Sequence, residues 1–164
     1  MSGVRIRDAD PADLDGLGDV EVRSFVSDRM SRRGLRRLIG RPTARLRVAA
    51  ERLPGGTVVI RGYHLVLFRM GSRVARLYSI AVDRRARGAG LGSRLLHDAE
   101  KVAAEAGRRV LRLEVRARSR AAIAFYERHA YGRIGRYRSY YADGSDALRY
   151  EKPIAGPDGS NKGK

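Results

Sequence analysis

A glycine-rich turn between a strand and a helix is the first candidate ligand site in the sequence. An apolar run ends at Val82, a basic turn follows, and an amphipathic helix pattern begins at about Gly90. Such a turn exposes successive backbone N–H groups, and the helix behind it directs the positive end of its dipole at them. Glycine also lets a ligand approach the backbone closely. The pattern predicts a phosphate site, although a turn of this composition can also be only a solvated connection.

A carboxylate and a phenol on the next two elements form the second reactive group. Residues 111–116 alternate apolar and charged types, which predicts a strand with Glu114 on the polar face. A carboxylate in the middle of an internal strand is either the partner of an arginine on the same face or a general base. Tyr126 is either a core tyrosine beside Ala122 and Ile123 or a proton donor.

Periodicity and turn signals predict the strands and helices around these groups. Strands are predicted over residues 4–7, 46–50, 57–68 with a kink at Gly62, 74–82, 110–115, 133–140 and 147–152. Helices are predicted from Asp10-Pro11 to about Phe25, from Ser31 to near Gly40, from Gly90 to Gly107, and over 120–129 with Ser119 as its cap. Strands and helices in this mixed order indicate an α/β or α+β layered fold.

Length and composition narrow the possible classes of protein. A chain of 164 residues fits one domain, predicted over residues 1–154, with a disordered tail of Gly, Pro, Ser and Lys over 155–164. Cysteine is absent, and the histidines at positions 64, 97 and 129 have no ligand spacing, so we expect neither a disulfide framework nor a metal site. The sequence shows no signal peptide and no membrane span, so we expect a cytoplasmic protein without a membrane partner.

The charge of the chain is strongly basic. Lys and Arg number 35 against 18 Asp and Glu, which gives a formal net charge of +17. Such a field attracts anions, including phosphates and nucleic acid. The arginines are spread along the whole chain, so their number can equally reflect composition alone. A nucleic-acid partner is therefore suggested only by net charge.

The segment 78–93 resembles the pyrophosphate-binding signature of the acetyl-CoA-dependent N-acetyltransferases, the GNAT superfamily. The family pattern Gln/Arg-x-x-Gly-x-Gly/Ala fits residues 85–90 and also 87–92, and the second register leaves the usual spacer after the strand. The resemblance implies acetyl-CoA as co-substrate and a mixed, mostly antiparallel sheet with splayed central strands, flanked by helices. The cofactor-binding residues that it implies are Ile80, Ala81, Val82, Arg87, Gly88, Ala89, Gly90, Leu91, Gly92 and Ser93.

A closer resemblance connects residues 113–116 and 121–127 with RimI-type ribosomal-protein alanine N-acetyltransferases. It implies Glu114 as the base that deprotonates the attacking amine and Tyr126 as the acid that protonates the leaving thiolate. It also implies an acceptor groove lined by Glu21, Phe25, Tyr140 and Tyr141. At the position of Ser119, those enzymes usually have an asparagine that contacts the cofactor. The orientation of the pantetheine arm is therefore the feature in which we expect this chain to differ from them.

The expected activity is acetylation of a primary amine, with a protein or peptide N-terminus as the leading acceptor. Acetylation of a small amine or of a lysine side chain is the alternative within the enzyme class. The sequence shows no acidic cluster that would form a polyamine site. A non-catalytic module that binds coenzyme A or RNA is the alternative outside that class, and the chain is expected to be a monomer or a homodimer.

Overall fold

Seven strands and four α-helices make up the fold of the computed structural model, which describes residues 3–155. The strands are β1 (Val4–Asp8), β2 (Ala44–Arg52), β3 (Val58–Phe68), β4 (Val74–Val82), β5 (Val110–Arg116), β6 (Gly132–Tyr137) and β7 (Ala147–Pro153). The helices are α1 (Leu14–Ser24), α2 (Arg32–Leu38), α3 (Leu91–Glu105) and α4 (Arg120–Arg128), with short 3₁₀ turns at Pro11–Asp13 and Arg84–Ala86. The strand positions confirm the predicted mixed α/β class.

The strands form one sheet in the order β1-β2-β3-β4-β5-β7-β6. Every neighbouring pair is antiparallel except β4 and β5, which are parallel. The parallel pairing runs only from Val74 opposite Val110 to Leu77 opposite Leu113. Beyond that point β4 continues along β3 and β5 continues along β7, so the two central strands part. The predicted splay of the central strands is present.

The two faces of the sheet are covered by different helices. On β3, Tyr63 and Leu65 belong to a buried cluster with α1 and α2. The alternate residues Gly62 and His64 face α3, since a Cβ on Gly62 would lie 3.0 Å from Leu95 and His64 contacts Asp98. The period of two along a strand therefore places α1 and α2 on one face and α3 on the other.

Gly62 marks the closest approach between the sheet and its neighbours. A Cβ at this position would lie 2.7 Å from the carbonyl oxygen of Ala81, which leaves no room for a side chain. The pairing of β2 with β3 shifts by one residue beside it, where Ala49 is opposite Gly62 and Ala50 is opposite Ile60. This bulge is the kink predicted at Gly62, and it adds twist to β3.

Helix capping agrees with the sequence at two positions and departs from it at a third. Asp10 accepts a hydrogen bond from the N–H of Ala12, and Ser31 accepts one from the N–H of Gly34. Ser119 stands at the N-cap position of α4 but makes no side-chain capping hydrogen bond. The prediction that the Ser119 side chain caps this helix is wrong, and its hydroxyl is not used for that purpose.

The strand predicted over residues 133–140 ends three residues early, at Tyr137. Ser139 has a φ of 48°, and the N–H groups of Tyr140 and Tyr141 both donate to the carbonyl oxygen of Ser145. These contacts turn the chain back on itself, so Tyr140 lies in a loop instead of a strand. The predicted tail begins at residue 155, and its positions 156–164 lie outside the described residues.

A buried polar cluster fastens α3 to the sheet. The His64 side chain is fully buried, and its Nε2 lies 2.7 Å from the Oδ2 of Asp98 on α3. Arg47 on β2 donates two hydrogen bonds of 3.0 Å to the same carboxylate. The contacts with His64 and Arg47 outweigh the effect of burial and lower the pKa of Asp98 to about 2.

His64 is held in its neutral form by this environment. Burial lowers the pKa of its imidazole below the ordinary value, in spite of the neighbouring carboxylate. The second ring nitrogen, Nδ1, is buried without a hydrogen-bond partner. A proton on Nδ1 would therefore be a buried donor with no acceptor, which is costly.

We expect the free energy of unfolding to decrease as the pH falls below about 6.5, the ordinary pKa of histidine. The unfolded chain takes up the His64 proton at a higher pH than the folded chain, so acid favours unfolding. One proton gives a slope of at most about 1.4 kcal/mol per pH unit. Urea unfolding measured between pH 7.5 and 5 checks this, and His64→Gln should flatten the slope. His97→Gln, at an exposed position, should keep it; equal slopes in both variants would exclude His64 as the source.

Candidate active site

Two adjoining cavities open where β4 and β5 part. The first has a volume of about 590 Å³ and the second a volume of about 400 Å³. Both are lined by Phe25, Ser27, Tyr78, Ser79, Glu114 and Arg116. A group bound in one cavity therefore lies next to a group bound in the other, as a reaction between two molecules requires.

Glu114 lies on the wall that the two cavities share. Its side chain is 11% exposed, and one carboxylate oxygen accepts a hydrogen bond of 3.1 Å from Nε of Arg76. The carboxylate is the partner of an arginine, as one interpretation expected, and it also lines both cavities. Its role as a base stays a prediction. It can accept a proton from a ligand in either cavity.

Tyr126 lines the first cavity and is only 7% exposed. Its ring packs edge-on against Phe125 and Tyr131, so it is also part of the core. Burial raises the pKa of Tyr126 above its ordinary value. The hydroxyl therefore stays protonated near neutral pH, which is the state that a proton donor needs.

The glycine-rich turn has the geometry of a phosphate cradle. Gly88 and Gly90 have φ values of 86° and 76°, and a Cβ at either position would meet open space. Gly90 directly precedes α3, whose first N–H groups have no partner within the helix. Asp83, almost fully buried, anchors the turn through an ion pair of 2.9 Å with Arg23. The turn fits the pyrophosphate of coenzyme A, because it offers free donors in a positive field without side-chain obstruction.

The predicted cofactor residues do not all lie in the cavities. Ile80 and Ser119 line the first cavity, whereas the segment 87–93 lies outside both linings. The side chains of Ala81 and Leu91 are buried in the core, so only their backbone groups can contact a ligand. The turn packs against α4 at Gly92, where a Cβ would lie 3.6 Å from Phe125, the residue before Tyr126.

Ser93 has a partner that sequence reasoning did not find. Its Oγ lies 3.0 Å from Nε2 of His129, whose Nδ1 lies 2.7 Å from the carbonyl oxygen of Phe125. A carbonyl only accepts, so Nδ1 carries the proton and Nε2 of the neutral ring accepts from Ser93. This contact joins the start of α3 to the end of α4.

The four predicted acceptor residues all line the second cavity: Glu21, Phe25, Tyr140 and Tyr141. The carboxylate of Glu21 is buried and accepts hydrogen bonds from the hydroxyl of Tyr63 and from the N–H of Met30. Tyr63 also contacts Ser79, at 2.8 Å. These contacts hold Glu21 in the lining of the cavity and connect α1 to the sheet.

The second cavity also contains charged residues that the sequence pattern did not identify as parts of a site. Arg76, Arg116 and Asp28 line it together with Glu21 and Glu114. Only Glu114 and Arg116 are connected by sequence spacing, two residues apart on β5, because the other three positions come from α1, β4 and a loop. The only available signal was the alternation of β4 and β5, which places Arg76 and Glu114 on polar faces.

Residues 25–131 match the acetyltransferase (GNAT) family. The chain belongs to that family. It is therefore an acetyltransferase that uses acetyl-CoA as co-substrate, and the alternative of a non-catalytic module is not retained. No curated protein matches this GNAT acetyltransferase in sequence.

Solved acetyltransferase structures cover nearly the whole of this GNAT chain. The ribosomal-protein alanine N-acetyltransferase of Escherichia coli is 27% identical with a TM-score of 0.77, covering 94% of this chain and 97% of that one. PaiA N-acetyltransferase of Thermoplasma acidophilum, solved with coenzyme A, is 20% identical with a TM-score of 0.75, covering 92% and 99%. A variant of spermidine N-acetyltransferase SpeG of Vibrio cholerae is 15% identical with a TM-score of 0.77, covering 93% and 95%.

Two further observations concern membranes and metals. Among the helices of residues 3–155, none is long and apolar enough to cross a membrane. Within the same residues, no group of His, Cys, Asp and Glu side chains is arranged to hold a metal ion.

Gly90→Glu should weaken acetyl-CoA binding by about tenfold or more. The new side chain places a negative charge at the start of α3, where the phosphates are expected. It also strains the backbone, because position 90 has a φ of 76°, in the left-handed region that favours glycine. Calorimetric titration with acetyl-CoA measures the effect. Gly107→Glu is the matched control, since Gly107 has a φ of 80° at the opposite end of α3. Equal losses in both variants would show that strain alone is responsible.

Proposed function

We propose that this acetyltransferase acetylates the α-amino group of a protein or peptide N-terminus, in the manner of the RimI-type enzymes. The main support for this proposal is the position of Glu114 on the wall that the two cavities share. A base at this junction reaches an amine in the second cavity and lies beside a thioester in the first. The 27% identity to the Escherichia coli ribosomal-protein alanine N-acetyltransferase supports the same acceptor class.

The proposed chemistry begins with deprotonation of the acceptor. An α-ammonium has a pKa of about 8 and must lose a proton before it attacks. Glu114 takes that proton, and the nitrogen then forms a bond to the carbonyl carbon of the thioester. A backbone N–H at Ile80 or Val82 stabilises the negative oxygen, because β4 has no β5 partner beyond Leu77.

Tyr126 completes the proposed reaction. The C–S bond breaks with its electron pair on sulfur, and the thiolate takes the proton of the Tyr126 hydroxyl. The nitrogen releases its second excess proton to solvent as the amide forms, Glu114 also returns its proton to solvent, and Tyr126 regains one from solvent. Each turnover thus converts an amine and a thioester into an amide and a thiol.

The remaining residues of the proposed site bind and orient the two substrates. The segment 87–93 holds the pyrophosphate, and Ser119 offers a hydroxyl to the pantetheine arm from the wall of the first cavity. The acceptor groove is formed by Glu21, Phe25, Tyr140 and Tyr141. The stacked rings of Tyr137 and Tyr140, with centroids 5.5 Å apart, support the loop side of this groove.

A small amine or a lysine side chain remains the second candidate acceptor. Three carboxylates line the second cavity, at Glu21, Asp28 and Glu114, which favours a cationic acceptor of either kind.

The domain bounds of 1–154, the cytoplasmic location, and a monomeric or homodimeric state stay predictions.

Tyr126→Phe and Glu114→Gln should each lower kcat by about a hundredfold or more, with little change in acetyl-CoA affinity. Each substitution removes a proton-transfer group and keeps the shape of the side chain. Steady-state kinetics and acetyl-CoA calorimetry on the same samples measure both quantities. Tyr131→Phe, a buried tyrosine whose hydroxyl contacts Glu100 outside the cavities, is the control. Unchanged turnover in Tyr126→Phe would remove that residue from the mechanism.

Peptides that begin with alanine or serine should be acetylated on the α-amino group. A peptide of the same sequence with a blocked N-terminus and one internal lysine should react at least about tenfold more slowly, as should spermidine. Mass spectrometry of the products locates the acetyl group. Faster reaction of the blocked peptide would favour the lysine acceptor, and faster reaction of spermidine the small amine.

A further inference from the structure

Arg116, the last residue of β5, connects two loops beside the acceptor cavity. Its NH2 donates to Oγ of Ser27 at 2.9 Å and to Oδ2 of Asp28 at 3.0 Å. Its NH1 donates to both carboxylate oxygens of Asp143, at 3.0 and 2.8 Å, and to Oγ of Ser145 at 3.1 Å. All of these partners lie in the loops that follow α1 and β6.

The two loops also contact each other beside this arginine. Oδ1 of Asp28 accepts a hydrogen bond of 3.2 Å from the N–H of Ala142. The guanidinium carbon of Arg116 lies 4.0 Å from the ring centroid of Tyr141, in a cation–π arrangement. Asp28, Arg116 and Tyr141 all line the second cavity. The arginine therefore forms part of the acceptor wall and also holds that wall in place.

The charges on the acceptor wall nearly balance. Three carboxylates and two guanidinium groups line the second cavity, which leaves a formal charge of −1. Arg76 pairs with Glu114, and Glu21 has only neutral partners. Arg116 pairs with Asp28 and also with Asp143, which lines the first cavity but not the second. Among the residues that line the second cavity, the net formal charge of −1 matches one ammonium group. If Arg116 were neutral, the same wall would carry −2.

We propose that Arg116 determines the charge class of the acceptor: it restricts the second cavity to amines with a single positive charge. This inference rests on the proposed function, whose acceptor cavity it describes. A dication would place its second ammonium against a wall that Arg116 already neutralises, and it would lose hydration without gaining a partner. A peptide N-terminus carries one charge at the reacting end and fits this restriction.

The test compares two amines that differ by one charge and share a four-carbon chain, butylamine and 1,4-diaminobutane. Their dissociation constants are measured by calorimetry on protein saturated with coenzyme A, at pH 7.5, so that no turnover is needed. In Arg116→Gln, the affinity for the diamine relative to the monoamine should rise by about tenfold. The unmodified protein should prefer neither amine or should prefer the monoamine.

Arg112→Gln is the matched control. Arg112 lies on the same face of β5 and pairs with Glu151 at 2.8 Å, but it lines neither cavity. The ratio should not change in this variant. Arg116→Lys keeps the positive charge and should keep the ratio of diamine to monoamine affinity. This holds even if the loss of the hydrogen bonds to both loops raises the KM for the acceptor.

A double substitution separates charge from loop structure. Arg116→Gln combined with Asp28→Asn restores the formal charge of the wall but not the link between the loops. The ratio should return towards the original value. If Arg116→Gln proves unstable, Asp28→Asn alone tests the same idea, since it removes one negative charge and should weaken the diamine more than the monoamine.

An unchanged ratio in a folded Arg116→Gln protein would overturn the proposal, as would a ratio that the double substitution leaves raised. Equal weakening of both amines would reduce Arg116 to a structural link, which also contradicts it. Failure of the proposed function has a different signature: no acetylation of peptide N-termini by the unmodified protein. The amine ratio is measured without peptide and is independent of that result.

Discussion

The short parallel contact between β4 and β5 determines the shape of the site. Four residue pairs hold the strands together, and then each strand follows its other neighbour. The gap frees backbone groups of β4 and admits two cavities that share Glu114. A sheet paired over its full length would bury the same residues and leave no place where two substrates could meet.

Polar contacts between distant elements keep this gap in one shape. The cluster of His64, Asp98 and Arg47 fixes α3 on the sheet, and with it the glycine turn at its start. Ser93 and His129 connect that same end of α3 to α4, which carries Tyr126. On the acceptor side, Arg116 connects the loops after α1 and β6. Each contact joins residues that are far apart in sequence, so the site is a property of the whole fold.

Local patterns were sufficient for the elements and for the family, but not for the charges of the site. β4 was predicted at its observed bounds, and the Ser31 cap is present because both depend on neighbouring residues. Ser119 does not act as a cap, and nothing in its neighbouring sequence signals this. β6 ends early because Ser145 and Asp146 bind the loop that precedes them. The acceptor carboxylates come from separate elements, so no spacing could bring them together. The roles of Glu114 and Tyr126 came from resemblance, with periodicity giving only their faces.

The contact between β4 and β5 also bears on how the chain reaches its native state. Val74 and Val110 are 36 positions apart, and the crossover through α3 must be in place before they pair. Closing a long loop costs entropy that only the finished contact recovers, so such pairings form slowly. Contacts between residues close in sequence do not form the gap that contains the site. The antiparallel hairpins of β2, β3 and β4 can assemble without it. Catalytic competence thereby depends on a long-range pairing, and a chain that had formed only these hairpins would hold part of its sheet and none of its chemistry.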